Sequence, residues 1–334
     1  MKRIINFAQK NLALVLLIIA GIIFSFTTAN FLSITNILNI LNQNAYIIIA
    51  ACGIALIMIG GDLDMSVGYH MSICGVLCAM LLTRTQLPVW LIIVLMMLLS
   101  VGMALFTTLL TELLSIPRIF VTVGEATLFQ GVAYVITNSK TISDLPFGFK
   151  QIAQGSVLHP SLTYATIIMI VFTCIIGFVL RKTYFGRYVF AMGGNLTAAR
   201  LAGINVRKMK YIIGTLVGIF LGVASIILIG RTGAAAANTA AGTEITILTG
   251  ILLGGVSIRG GEGKIGNCVA GILLIALIGN GMQLAGWNPY YQYIAKGGIM
   301  LCVLGFDQFQ MRRRSVMNYQ RKEATQEKKT EIIE

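Results

Sequence analysis

Tyr184-Phe185-Gly186-Arg187-Tyr188 opens a stretch that continues through Gly193-Gly194-Asn195, then Ala198-Ala199-Arg200-Leu201-Ala202-Gly203-Ile204-Asn205, then Arg207-Lys208-Met209-Lys210, and closes at Ile213. It is basic and punctuated by glycine. It is caught between two apolar runs, Leu162–Leu180 and Ile212–Ile229. Runs of that length enter a bilayer as helices. The charged, small-residue segment between them therefore reads as a loop at a membrane surface, offering a docking face to a soluble partner.

The rest of the chain follows the same pattern. Of 334 residues, 57% are hydrophobic and 11% charged, against roughly 25% charged in a soluble domain. The apolar runs are continuous rather than alternating, which points to helices and not to barrel strands. Ten membrane segments are expected, near Leu12–Ala29, Ala45–Ile59, Met65–Leu82, Val89–Leu110, Phe120–Ile136, Leu162–Leu180, Ile212–Ile229, Ile245–Gly255, Ile265–Met282 and Tyr293–Phe306. Lys2, Arg3 and Lys10 before Leu12–Phe26 imitate a signal peptide, but the many later spans favour an uncleaved first helix. Phe31, Ile34, Ile37, Leu38 and Leu41 fall at helical spacing and suggest a helix lying along the interface. Ile245–Gly255 is the weak span, since eleven residues of helix cover only about 16 Å.

The net charge of +13 reflects cytoplasmic flanks rather than nucleic-acid binding. With the N-terminus inside, Lys2, Arg3, Lys10, Arg118, the seven cations from Arg181 to Lys210, Arg259, Lys264 and the tail's cations fall on one side. Only Arg84, Lys140, Lys150 and Arg231 fall opposite, and Lys296 lies at the start of the last segment. Both termini are thus expected in the cytoplasm. Residues 1–310 read as the membrane domain, with 181–210 as its docking loop, and 311–334 as a basic disordered tail near anionic headgroups. Cys52, Cys74, Cys78, Cys174, Cys268 and Cys302 all lie in apolar runs without a CxxC pair and read as small buried hydrophobes. His70 and His159 form no ligand pattern. No metal and no cofactor is expected.

Two interruptions carry carboxylates. Gly60-Gly61-Asp62-Leu63-Asp64-Met65-Ser66-Val67-Gly68 breaks two apolar runs, where Asp64 can cap the helix that follows or face a translocation path. Ile116-Pro117-Arg118-Ile119-Phe120-Val121-Thr122-Val123-Gly124 opens a segment in its first turn, and Glu125 then places an acid in an apolar run. Gly254-Gly255-Val256-Ser257-Ile258-Arg259-Gly260-Gly261-Glu262-Gly263-Lys264 contains GxGxxG. It follows a membrane segment rather than a strand, and it is not a P-loop, since Ile258 and Ile265 stand where Gly and Ser/Thr are required. A tight turn is the better reading. The chain shows no means of hydrolysing ATP and no nucleophile–base arrangement.

The Tyr184–Ile213 stretch resembles the cytoplasmic coupling segment of the ribose/galactoside/xylose-type permeases of bacterial ABC importers, with the pattern FGR..FA.GGN..AAR.SGI.V...K. Ala202 departs from the usual Ser. Gly61–Gly68 is similar to that family's G-x-I-D-L-S-V-G, with Leu63 and Met65 departing and Asp62 at the variable position. Ile116–Gly124 is similar to I-P-x-F-I-V-T-L-G, with Arg118 and Ile119 replacing the usual Pro-Phe. Gly254–Gly263 resembles GG-T-S-L-S-GG-x-G, and Glu244 matches an acid upstream of it.

The resemblance spans about Phe31 to Asp307. It implies an all-α polytopic membrane protein of about ten segments, resembling the vitamin B12-type permease fold. The implied role is the inner-membrane permease subunit of an ATP-driven importer of a ribose-like sugar, working by alternating access. Implied partners are ATP-binding cassettes, an external sugar-binding protein, a second permease subunit (identical or related) and membrane lipid. Gly186, Arg187, Gly193, Gly194, Asn195, Ala198, Ala199, Arg200, Gly203 and Ile204 would couple to the cassettes. Asp62, Asp64, Ser66, Gly68, Phe120, Thr122 and Glu125 would line the substrate path, and Gly254, Gly255, Gly260 and Gly261 would form the cytoplasmic turn. The alternatives are a branched-chain amino acid ABC permease, an ion-coupled secondary transporter using Asp62, Asp64 and Glu125, and a membrane scaffold or sensor.

Overall fold

The structure, a computed structural model, describes residues 12–28, 30–157 and 160–305. The described residues are helical, with two isolated β-bridges and no strand among them. The helices are α1 (Leu12–Thr27), α2 (Ile34–Ile59), α3 (Val67–Arg84), α4 (Val89–Leu114), α5 (Arg118–Thr137), α6 (Phe147–Gln154), α7 (Tyr164–Lys182), α8 (Tyr184–Gly194), α9 (Leu196–Leu201), α10 (Val206–Thr232), α11 (Thr243–Leu253) and α12 (Ile265–Leu284). Seven of them, α2, α3, α4, α5, α7, α10 and α12, are long and apolar enough to cross a membrane, while α1 and α11 are shorter apolar helices. Residues 290–305 form a further helix, and the chain divides into two units between Pro289 and Tyr290. The N-terminal cations, His159 and the 311–334 tail lie outside the described residues.

The core is α2, whose second half is buried on every side from Ile47 to Ile59. A helix apolar all round must be surrounded by protein or lipid, and here protein surrounds it. Its first turns, expected as a helix of their own along the interface, are continuous with it. Ser33 caps Ile34–Ile59 as one continuous helix, its Oγ accepting from the Asn36 amide at 3.2 Å. Asn36 is held from across the bundle, its Nδ2 donating to Asn280 Oδ1 of α12 at 2.9 Å.

Helix α10 packs on α4 along one face of small residues. A side chain at Gly218 would stand 2.5 Å from the Val101 Cα, and Ser100 Oγ donates to the Gly218 carbonyl at 2.7 Å. Small residues at the contact let two membrane helices approach closely, which is where their packing energy comes from. Four of the six cysteines are buried as expected; Cys174 and Cys302 are exposed, and all six are free.

The weak span resolves into two parts. Residues 233–242 leave the far end of α10 without regular structure. Ala235 exchanges two 2.8 Å backbone bonds with Ile142, and the Ala240 amide donates to Ser72 Oγ at 3.0 Å. Ala235, Ala237 and Ala240 are buried. Helix α11 then runs back to Gly254, where a methyl would stand 2.6 Å from the Cys268 backbone. The short helix therefore supplies only part of this passage. Irregular chain precedes it, and that chain is tolerated inside the bundle because its polar groups are met by protein.

Candidate functional site

The three glycine motifs, far apart in sequence, meet at one end of the bundle. The Gly261 amide donates to the Ile59 carbonyl at 2.8 Å. The last carbonyls of a helix have no partner within it, and this one is met by the 254–263 turn. Gly193, at the end of α8, covers that bond so closely that a methyl there would collide with the Ile59 oxygen and the Gly261 nitrogen. A methyl at Gly260 would stand 2.6 Å from the Gly61 Cα and 3.0 Å from the Gly193 Cα; one at Gly261 would stand 2.7 Å from the Gly194 Cα. Backbone thus meets backbone with no side chain between. Gly61, Gly260 and Gly261 also hold φ values of +94°, +81° and +75°, which side chains rarely adopt. Gly254 closes α11, and Gly255 follows at φ +77°.

The segment read as a loop is a helical hairpin. Thr183 caps α8 by accepting from the Gly186 amide at 3.4 Å, and Asn195 caps α9 by accepting from Ala198 at 2.9 Å. Asn205 caps α10 by accepting from Lys208 at 3.0 Å. Gly186 lets α8 fold back against the Leu180 backbone. Ala199 is 4% exposed and anchors α9 inward. Arg187, Gly194, Asn195, Ala198, Arg200 and Gly203 are exposed, and Ile204 is half-buried. Leu201 is 86% exposed and Tyr184 71%, with the Arg187 guanidinium 4.1 Å over the Tyr184 ring. The hairpin therefore presents apolar and cationic side chains together at the end of the bundle.

Beneath the hairpin, the expected pathway residues separate into two groups. Asp62 remains half-exposed, 3.8 Å from Lys210 Nζ, which also donates to Glu112 Oε1 at 2.8 Å. Asp64 is sealed at 2% exposure. Its Oδ2 accepts from Arg118 Nη2 at 2.9 Å and Nε at 3.2 Å, and its Oδ1 accepts from the Ser66 amide and hydroxyl at 2.9 and 2.7 Å. The expectation that Asp64 caps α3 is thus corrected. Ser66 holds the cap position, and Asp64 braces it from two residues upstream while Arg118 takes its other oxygen.

Thr122, one turn along α5 from Arg118, accepts from the Met65 amide at 3.1 Å. Helix α5 therefore grips residues 64–66 at two points. Gly68 gives room to Glu244 and to the Ala240 carbonyl, whose oxygen would stand 2.6 Å from a methyl there. Phe120 points outward at 68% exposure. Glu125 is 5% exposed and accepts from Thr107 at 2.8 Å through Oε2, while its Oε1 is buried without a partner.

Sequence reading missed Glu112, an acid near the end of an apolar run that its composition alone could have flagged. It also missed His70, which bonds Ser100 at 2.9 Å and faces Phe129 edge-on. Among the described residues no cluster of His, Cys, Asp or Glu could hold a metal.

A family model described as "Branched-chain amino acid transport system / permease component" matches residues 36–304. The chain is 34% identical over 291 residues to the probable ABC transporter permease protein YphD of Escherichia coli, covering 86% of each. It is 30% identical over 322 residues to the galactose/methyl galactoside import permease protein MglC of Salmonella typhimurium, 92% of this chain and 96% of that one. It is 32% identical over 308 residues to the ribose import permease protein RbsC of Escherichia coli, 90% and 93% of the two. No solved structure matches it.

Proposed function

The chain belongs to the family of branched-chain amino acid transport system permease components, a multi-pass inner-membrane transport subunit and not an enzyme, and from that premise we propose that its cargo is a monosaccharide. The observation that carries the cargo is the set of relatives named for galactosides, ribose and L-arabinose, each matched over most of its length. The family description names branched-chain amino acids, and those form the second reading.

The importer works with ATP-binding cassettes and an external binding protein. The α8–α9 hairpin is the cassette dock, which puts that end of the bundle and both termini in the cytoplasm. The exposed pairing of Tyr184 with Arg187 and the exposed Leu201 support this assignment, as does the cation count on that side. A second copy or a related subunit completes the pathway, with lipid around the pair. Asp62, Ser66, Gly68, Phe120, Thr122 and Glu125 belong to the moving wall of that pathway, and Asp64 braces it from inside. Ion coupling through Asp64 is disfavoured because both its oxygens are already taken by Arg118 and Ser66.

The test is uptake into proteoliposomes holding the permease, its cassettes and its binding protein. Labelled ribose, galactose, arabinose and leucine are offered singly. ATP-dependent uptake of one or more sugars and none of leucine is expected. Leucine uptake alone would establish the second reading instead.

A further inference from the structure

We infer that the push a docked cassette gives to α8 reaches both interrupted stretches of the chain at once, through the glycine junction under Gly193, with Lys210 as a second tie. This rests on the reading of the α8–α9 hairpin as the dock.

The first link is the junction itself. Side chains between two elements absorb small displacements by changing rotamer. At Gly193 there are none: Gly193, Gly61, Gly260 and the Ile59–Gly261 hydrogen bond form one backbone-to-backbone contact. Packed elements of this kind shift between discrete arrangements rather than deforming gradually. A displacement of α8 must therefore move the 60–66 stretch, which starts at Gly60, and the 254–263 turn, which ends α11.

The second link is ionic. Lys210 lies on the first turns of α10, just beyond the hairpin. Its Nζ reaches Glu112 near the end of α4 at 2.8 Å and Asp62 in the interrupted stretch at 3.8 Å.

The third observation lies at the start of α11, the helix that leads into the 254–263 turn. A methyl at Gly68, where α3 begins, would stand 2.6 Å from the Ala240 carbonyl oxygen and would collide with the Glu244 carboxylate. The 60–66 stretch is thus tied to the 254–263 turn directly at Gly61 and Gly260 and indirectly through α11, and Gly193 sits on the joint nearer the hairpin. Gly193 and Lys210 are positioning residues in this scheme, since neither contacts cargo.

The measurement is sugar delivered per ATP hydrolysed, in proteoliposomes of the full complex, with cassette association recorded for each variant. Gly193→Ala should keep its cassettes and hydrolyse ATP but deliver about five-fold less sugar per ATP. Lys210→Gln should lower the same ratio, and Lys210→Arg should restore it. Gly177→Ala, where a methyl meets nothing within 4 Å, should match the parent. If Gly193→Ala does not assemble, the Lys210 pair decides. A parental ratio in Lys210→Gln, or in an assembled Gly193→Ala, overturns the inference. Leu201→Glu, run alongside, separates the two levels. If it keeps cassettes and transport, the docking reading fails. If it loses cassettes while Gly193→Ala and Lys210→Gln pump with parental stoichiometry, only the relay fails.

Discussion

Arg118 of α5 closes on Asp64 across 54 residues of chain, Nη2 standing 2.9 Å from Oδ2, with their side chains 5% and 3% exposed. This ion pair fixes the interrupted stretch to the first residue of α5. Removing one partner of a buried pair leaves a charge without compensation and costs about 3–5 kcal/mol. Arg118→Met or Asp64→Asn alone should therefore lower the unfolding temperature in detergent sharply. The double variant should recover much of the loss. Additive losses in the double variant would mean the two charges do not depend on each other.

Docking should follow exposure within the hairpin. Leu201→Glu places a carboxylate on an exposed apolar residue beside Arg200 and should abolish copurification of the cassettes without unfolding the permease. Ala199→Trp acts differently. Ala199 is buried, so overpacking of about 1–3 kcal/mol should reduce the yield of folded permease. Thermal-shift and pull-down measurements on both variants distinguish the two effects.

The energy source is expected to be ATP alone. In whole cells an uncoupler should leave uptake intact while ATP is clamped, and ATP depletion should stop it. Uptake that collapses with the proton gradient at constant ATP would put a proton on Asp62 or Glu125 instead.

Topology is open to direct labelling. Ser139 and Asn205 are both exposed and belong to opposite ends of the bundle. Single cysteines at these positions, in a background lacking the native six, should differ in sealed spheroplasts. An impermeant thiol reagent should reach position 139 before lysis and position 205 only after it. The reverse pattern would put the hairpin outside and remove the docking assignment.

The sequence by itself determined that this is a bundle of membrane helices with a basic segment at one surface. Apolar run length and cation placement carry that information residue by residue, because a bilayer tests each segment separately. It also showed that Gly60–Gly68, Ile116–Gly124 and Gly254–Lys264 interrupt the bundle. What those interruptions do was decided only by the tertiary structure. Asp64 reads as a cap or a pathway acid until Arg118 is found beside it, and nothing local to either residue announces the other. The junction of Gly61, Gly193 and Gly260 is likewise invisible along the chain. A glycine declares only that a side chain is absent, and which backbone fills the space depends on helices brought together by packing. The packing of 233–253 was unresolved for the same reason: its irregular part is held where Ser72 and Ile142 meet its polar groups, and those partners lie in other elements.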